Sequence, residues 1–179
     1  LEDKDILVQF GNINTRNSAF SELVKKYQER IYWQVRRIVI DHEDADDVVQ
    51  EIFIKIYKNL ENFREASQLF TWMYRIATNE SLTFIKKKQR HHMQSIDDIQ
   101  YDLVDKIQNG PYIDGDEIQK RLQEALLTLP DKQRLVFNMK YFENLKYDQI
   151  AEITGTSVGA LKASYHLAVK KIENLLKQH

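Results

Sequence analysis

The sequence contains no cysteine, which removes disulfides and thiolate metal sites from consideration. Glycine and proline are scarce, 5 and 2 in 179 residues. With so few residues that break regular structure, the chain is expected to be mostly helical. No apolar run approaches the ~18 residues needed to cross a membrane. No signal-peptide pattern is visible, and the reading is of a cytoplasmic protein. Gly-rich phosphate loops and nucleophilic Ser/His/Asp signatures are missing as well. Nor does one sign of charge dominate: the net formal charge is −1.

That near-neutrality hides a pattern. Residues 1–90 carry 15 Lys and Arg against 14 Asp and Glu. Residues 91–118 carry 1 against 7, and residues 119–179 carry 10 against 6. The acid is concentrated in the middle and the last segment is basic, and the local field is what a phosphate backbone meets. Hydrophobic residues make up 42%, enough to build cores. The expected architecture is therefore all-α: two small helical domains, 1–90 and 119–179, joined by a flexible acidic linker, 91–118. A coil of ~28 residues would separate its ends by roughly 30 Å. Within the linker Ile96, Ile99, Leu103, Val104 and Ile107 suit a weak helix or a docking segment.

Four helices are expected in the first domain. A short one over Lys4–Phe10 stops at Gly11. The second, from near Ser18 to Val39, places Phe20, Leu23, Val24, Tyr27, Ile31, Val35 and Ile38 on one face. The third opens at His42-Glu43-Asp44, where acid suits the positive end of the helix dipole. The fourth begins with Thr71 as N-cap and ends in Lys86-Lys87-Lys88-Gln89-Arg90. In the second domain one helix ends at Pro130, and another opens with Asp131 as N-cap and continues to Phe142. The closing segment reads as a helix-turn-helix around Ile153-Thr154-Gly155-Thr156-Ser157.

Three places carry candidate function. The last helix turns Leu161, Tyr165, Ala168 and Ile172 inward. Its other face offers Ser157, Gly159, Lys162, Ala163, Ser164 and His166, with Lys170 and Lys171 beyond. Small residues permit close approach to base edges, and the cations suit bases and phosphates. An ordinary helical hairpin with a solvated face is the alternative. The fourth helix and the loop before it interleave aromatic and basic residues: Phe63, Arg64, Phe70, Trp72, Tyr74, Arg75 and the run Lys86–Arg90. Aromatic faces stack on unpaired bases in a basic groove. Burial of these rings in a core is the competing account, strongest for Phe63 and Trp72. Finally, His42 to Asp47 with Gln50 and Glu51 forms an acidic helix face. Without a second ligand group at metal-binding spacing, a partner-binding face outweighs a metal site. No metal, cofactor or catalytic residue is expected.

The two halves together resemble the sigma-70 family of bacterial transcription initiation factors, in its small extracytoplasmic-function (ECF) group. The first half carries Phe20-x-x-Leu23-x-x-x-Tyr27, Asp44-Ala45-Asp46-Asp47-Val48-Val49-Gln50-Glu51-Ile52-Phe53 and Thr71-Trp72-Met73-Tyr74-Arg75-Ile76-Ala77-x-Asn79. The second carries Leu129-Pro130-x-x-Gln133-Arg134-x-Val136-Phe137, Tyr147-x-x-Ile150-Ala151-Glu152 and Ser157-Val158-Gly159-Ala160-Leu161-Lys162. The resemblance implies that Asp44, Asp47, Gln50 and Glu51 bind core RNA polymerase. It implies that Phe63, Arg64, Phe70, Tyr74, Arg75, Asn79, Lys86 and Arg90 read and melt the promoter minus-ten element. Arg134, Ser157, Gly159, Lys162, Ala163, Ser164, His166 and Lys170 would read the minus-thirty-five element. Members of the group are usually held by an anti-sigma factor, often membrane-tethered. Where many members carry arginines on the last helix, this chain has Ser164, Leu167 and Val169. The runner-up is a stand-alone helix-turn-helix regulator of duplex DNA. Removal of charge from Asp97, Asp98, Asp102 and Asp105 would test whether the acidic linker shields the basic domain.

Overall fold

The computed structural model of the protein describes residues 1–92 and 117–178. Most of the linker, with its apolar positions and its aspartates 97, 98, 102 and 105, lies outside the described residues. Among the described residues there are eight α-helices and no strand: α1 (Asp3–Gly11), α2 (Arg16–Val39), α3 (His42–Asn59), α4 (Leu69–His92), α5 (Glu117–Leu127), α6 (Asp131–Phe137), α7 (Tyr147–Thr154) and α8 (Val158–Lys177).

Helices α1 to α4 form an N-terminal bundle. The apolar rows read from the sequence face inward, and Leu23, Ile31, Val35, Val48, Ile52, Ile56, Met73 and Ala77 are buried together. The α2–α3 corner is tight. Ile40 takes a positive φ of 71°, rare for a β-branched residue. Asp41 then caps α3, its carboxylate accepting from the Asp44 N–H at 2.9 Å. Two expected caps are corrected. Helix α4 starts at Leu69, before Thr71, because Leu69 and Phe70 are themselves buried and pull the first turn into the core; Thr71 is an interior, buried residue. Asp131 is the first residue of α6 and Pro130 precedes it as the cap, with no side-chain capping bond.

The helix expected to run unbroken to Phe142 also changes. After Phe137 it widens into one π-turn, Asn138–Phe142, where the Glu143 N–H reaches the Asn138 carbonyl at 3.3 Å. Asn144 then adopts φ 52°, a left-handed conformation that Asn tolerates. This widened turn swings Phe142 and Glu143 out of the helix row and toward α2.

Gly155 caps α7 with φ 69°, and Ser157 caps α8 by accepting from the Ala160 N–H. The helix-turn-helix is therefore built as expected. Its hydrophobic residues divide between two cores. Ala125, Leu126, Leu129, Phe137, Ala168 and Ile172 pack among themselves. Val136, Met139, Leu145, Ile150, Ile153 and Leu161 instead join the core of the N-terminal bundle. The C-terminal helices are thus seated on α4 and α2, and α7 lies against α4.

Candidate nucleic-acid interface

On α3, Asp47, Gln50 and Glu51 are exposed, and their spacing of three and four puts them in one row. Asp44, expected to share that row, is half-buried and paired with Lys88 of α4. Beside the row an apolar groove of about 540 Å³ runs between α2 and α3, lined by Phe20, Val24, Val49, Phe53 and Tyr57 among others. Among the described residues no group of three His, Asp or Glu side chains is placed to hold a metal ion.

On α4, Arg75, Asn79, Lys86 and Arg90 are all exposed. Steps of four, seven and four align them along one outer stripe. Arg64 is exposed in the loop before the helix. Phe63 is half-buried, its ring 5.3 Å from that of Trp72. Phe70 and Tyr74 do not join the stripe. They are 8% and 0% exposed. Their rings lie 4.2 Å apart, and the Arg30 guanidinium sits 3.8 Å above Phe70. This is a cation–π stack at the boundary between the two halves.

That boundary centres on Glu143, which the sequence reading passed over. Its side chain is only 8% exposed. Arg37 donates to one carboxylate oxygen. The Tyr74 hydroxyl donates to the other at 2.7 Å, and Arg30 Nε lies 3.7 Å from the same oxygen. The Arg37 guanidinium also covers the Phe142 ring at 4.7 Å. Burial, followed by the charge of Glu143, pushes the Tyr74 phenol well above its ordinary pKa, so it remains a donor. Next to this cluster a cleft of about 730 Å³ opens between the Phe63–Phe70 segment and α2. Asn144, Leu145 and Gln149 of the C-terminal half line it too.

On α8, Ser157, Gly159, Lys162, Ala163, His166 and Lys170 are exposed and Ser164 is half-buried. Gly159, Ala163, His166 and Lys170 share the face opposite Leu161, Ala168 and Ile172, with Lys162 at its edge and Ser157 and Ser164 on the flank of the buried stripe. Arg134 stands apart. Its side chain is 13% exposed, on α6, with Asp131 at 3.6 Å. Burial lowers the pKa of its guanidinium, opposed by Asp131. In this arrangement Arg134 has little surface to offer DNA.

The comparisons with known proteins bear on both halves. Residues 23–91 match the model of sigma-70 region 2, and residues 119–172 that of sigma-70 region 4. The chain is 33% identical over 167 residues to the RNA polymerase sigma-H factor of Pseudomonas aeruginosa, covering 89% of this chain and 86% of that protein. The chain belongs to the sigma-70 family. It falls in the ECF group: it is 31% identical over 169 residues to the ECF RNA polymerase sigma-E factor of Haemophilus influenzae, covering 89% and 88%. Against the ECF sigma factor SigW of Bacillus subtilis it is 29% identical over 167 residues, with 89% of each covered. The fold of this sigma factor is also that of RpoE solved with the anti-sigma factor NepR from Bartonella quintana. That match has a TM-score of 0.70 at 20% identity, over 88% of this chain and 96% of the other. CnrH, solved with the cytosolic domain of CnrY, matches with a TM-score of 0.71 at 21% identity, over 98% and 97%.

The Glu143 cluster was missed for a physical reason. Its partners are 69 and 106 residues away in sequence, and no local period announces a contact at that range.

Proposed function

We propose that this sigma factor divides initiation between the two exposed rows and the face between them. Residues 1–90 hold polymerase and the minus-ten element, 91–118 connect, and 119–179 hold the minus-thirty-five element. The α3 row of Asp47, Gln50 and Glu51 docks on the polymerase clamp. The α4 stripe of Arg75, Asn79, Lys86 and Arg90, with Arg64 in the loop, tracks the strand being opened. The outer face of α8 enters the major groove of the upstream element, with Lys162 and His166 toward base edges and Lys170 toward phosphate. The observation that carries this reading is the alignment of Arg75, Asn79, Lys86 and Arg90 on one exposed face of α4, within the matched region 2. Melting needs no nucleotide hydrolysis here, because stacking of each captured base on an aromatic ring returns ~1–3 kcal/mol against unpairing. The chain makes and breaks no bonds itself; polymerase supplies the chemistry. It acts in the cytoplasm, and its natural regulator is an anti-sigma factor, as in the solved complexes of RpoE and CnrH.

The test is transcription from a promoter library by core polymerase with and without the chain. Transcripts that require the chain are expected. Binding to duplex DNA without any effect on polymerase would favour the stand-alone regulator instead.

A narrower prediction concerns α8. Lys170→Ala should weaken binding to the upstream duplex and flatten its salt dependence by about 0.9 in log K against log salt, the loss of one phosphate contact. If affinity falls with no change of slope, Lys170 contacts a base and not a phosphate.

A further inference from the structure

Arg30 and Arg37 have no part in the roles assigned above. They lie two turns apart on the same face of α2. Between them stands a carboxylate that the chain itself supplies from the π-turn of the other half. Both arginines, the Tyr74 hydroxyl and the Phe70 ring converge on this one place.

We propose that Arg30, Arg37 and Tyr74 form a phosphate site for single-stranded DNA, and that Glu143 occupies it while the C-terminal half is seated on α4. The proposal rests on reading the chain as a factor that opens DNA. Its first support is chemical. Guanidinium groups that grip a carboxylate grip a phosphate oxygen in the same way, with charge-assisted hydrogen bonds. The second support is what surrounds the site. Phe70 and Tyr74, rings of the kind on which unpaired bases stack, lie beside the arginines, and in the seated arrangement both are buried. The C-terminal half engages this place directly: the Tyr74 hydroxyl donates to Glu143, and Phe70 lines a cleft together with Leu145 and Gln149. Movement of that half withdraws Glu143 and leaves two arginines beside two rings. The anion that holds both arginines and the Tyr74 hydroxyl therefore leaves with the C-terminal half. The third support is the adjoining cleft, which Asn144, Leu145 and Gln149 line from the C-terminal half.

One carboxylate thus couples the position of the C-terminal half to the availability of the strand-binding face. Strand and Glu143 compete, and apparent affinity for the strand falls with the fraction of molecules that are seated.

The experiment measures binding of the full chain to a short fluorescein-labelled oligothymidine by anisotropy, at several salt concentrations. Glu143→Gln keeps the shape of the side chain and removes its charge. It should bind about tenfold tighter than the parent, as expected when a seated and closed state loses its dominance. The slope of log K against log salt should steepen by about 0.7, one phosphate on a single strand. Adding Arg30→Gln and Arg37→Gln to that variant should abolish the gain. The proposal is overturned if Glu143→Gln binds no tighter, or if its gain survives the loss of both arginines. Binding of the same proteins to core polymerase is measured in parallel. It tests the initiation reading separately, since none of the three residues belongs to the α3 row.

Discussion

Asp47→Arg combined with Glu51→Arg is expected to abolish binding to core RNA polymerase while the chain keeps its fold. Both side chains are exposed on α3, and among the described residues neither makes a side-chain hydrogen bond or ion pair that the substitution would orphan. Their cost to the helix is small. An exposed carboxylate near a helix N-terminus gains about 0.3–1 kcal/mol from the dipole, and both residues lie beyond the first turn, where the effect fades. The cost at the interface is large. Like charges brought together across an interface cost several kcal/mol, and two reversals in one row act on the same partner surface. A loss of roughly 100-fold or more follows, because each 1.4 kcal/mol is a factor of ten. Equilibrium binding to core polymerase, with a circular-dichroism melt of each protein, separates the two effects. Parent-like affinity in the double variant would remove α3 from the polymerase interface. Asp44→Arg is a different experiment, since Asp44 is engaged with Lys88 and its loss would also disturb the α3–α4 contact.

Much of this organisation was legible in the chain. The inward rows of α2 and α3 follow from three- and four-residue spacing, and Gly155 with Ser157 marks the turn of the helix-turn-helix. The α4 stripe was legible in the same way, because a helix period fixes which residues share a face. The start of α4 was not. Thr71 has the chemistry of a cap, yet burial of Leu69 and Phe70 outweighs that local preference and starts the helix earlier. The π-turn was also hidden, since nothing in Asn138-Met139-Lys140-Tyr141-Phe142 disfavours an ordinary helix. It depends on where Phe142 and Glu143 must point, and that is decided by Arg37 and Tyr74 in the other half. The burial of Arg134 was hidden for a related reason. A motif position says which residue is present and not how much of it is covered.

Leu161→Ala should separate the two recognition functions. Leu161 is 1% exposed and lies on the inward face of α8, where it joins Ile150 and Ile153 in the core shared with the N-terminal bundle. Truncating a buried leucine costs about 2–5 kcal/mol through lost transfer energy and the cavity left behind. A whole domain has only about 5–15 kcal/mol in hand. The helix-turn-helix joins the eight-residue α7 to α8 through one turn, and Leu161 is the first buried residue of α8 after that turn, so the loss falls where the two helices meet. Its melting should therefore fall below that of the bundle, and duplex binding through α8 should drop at least tenfold at growth temperature. The α3 row is fixed by Val48, Ile52 and Ile56, none of which needs Leu161, so polymerase binding should survive. Thermal unfolding, duplex anisotropy and polymerase binding on one preparation decide the matter. Simultaneous loss of all three would mean that the shared core makes the halves one folding unit, and that the seat of the C-terminal half is a condition of the whole fold. Loss of duplex binding alone would mean that each half folds on its own core. In that case the C-terminal half is free to leave its seat, as opening of the strand-binding face requires.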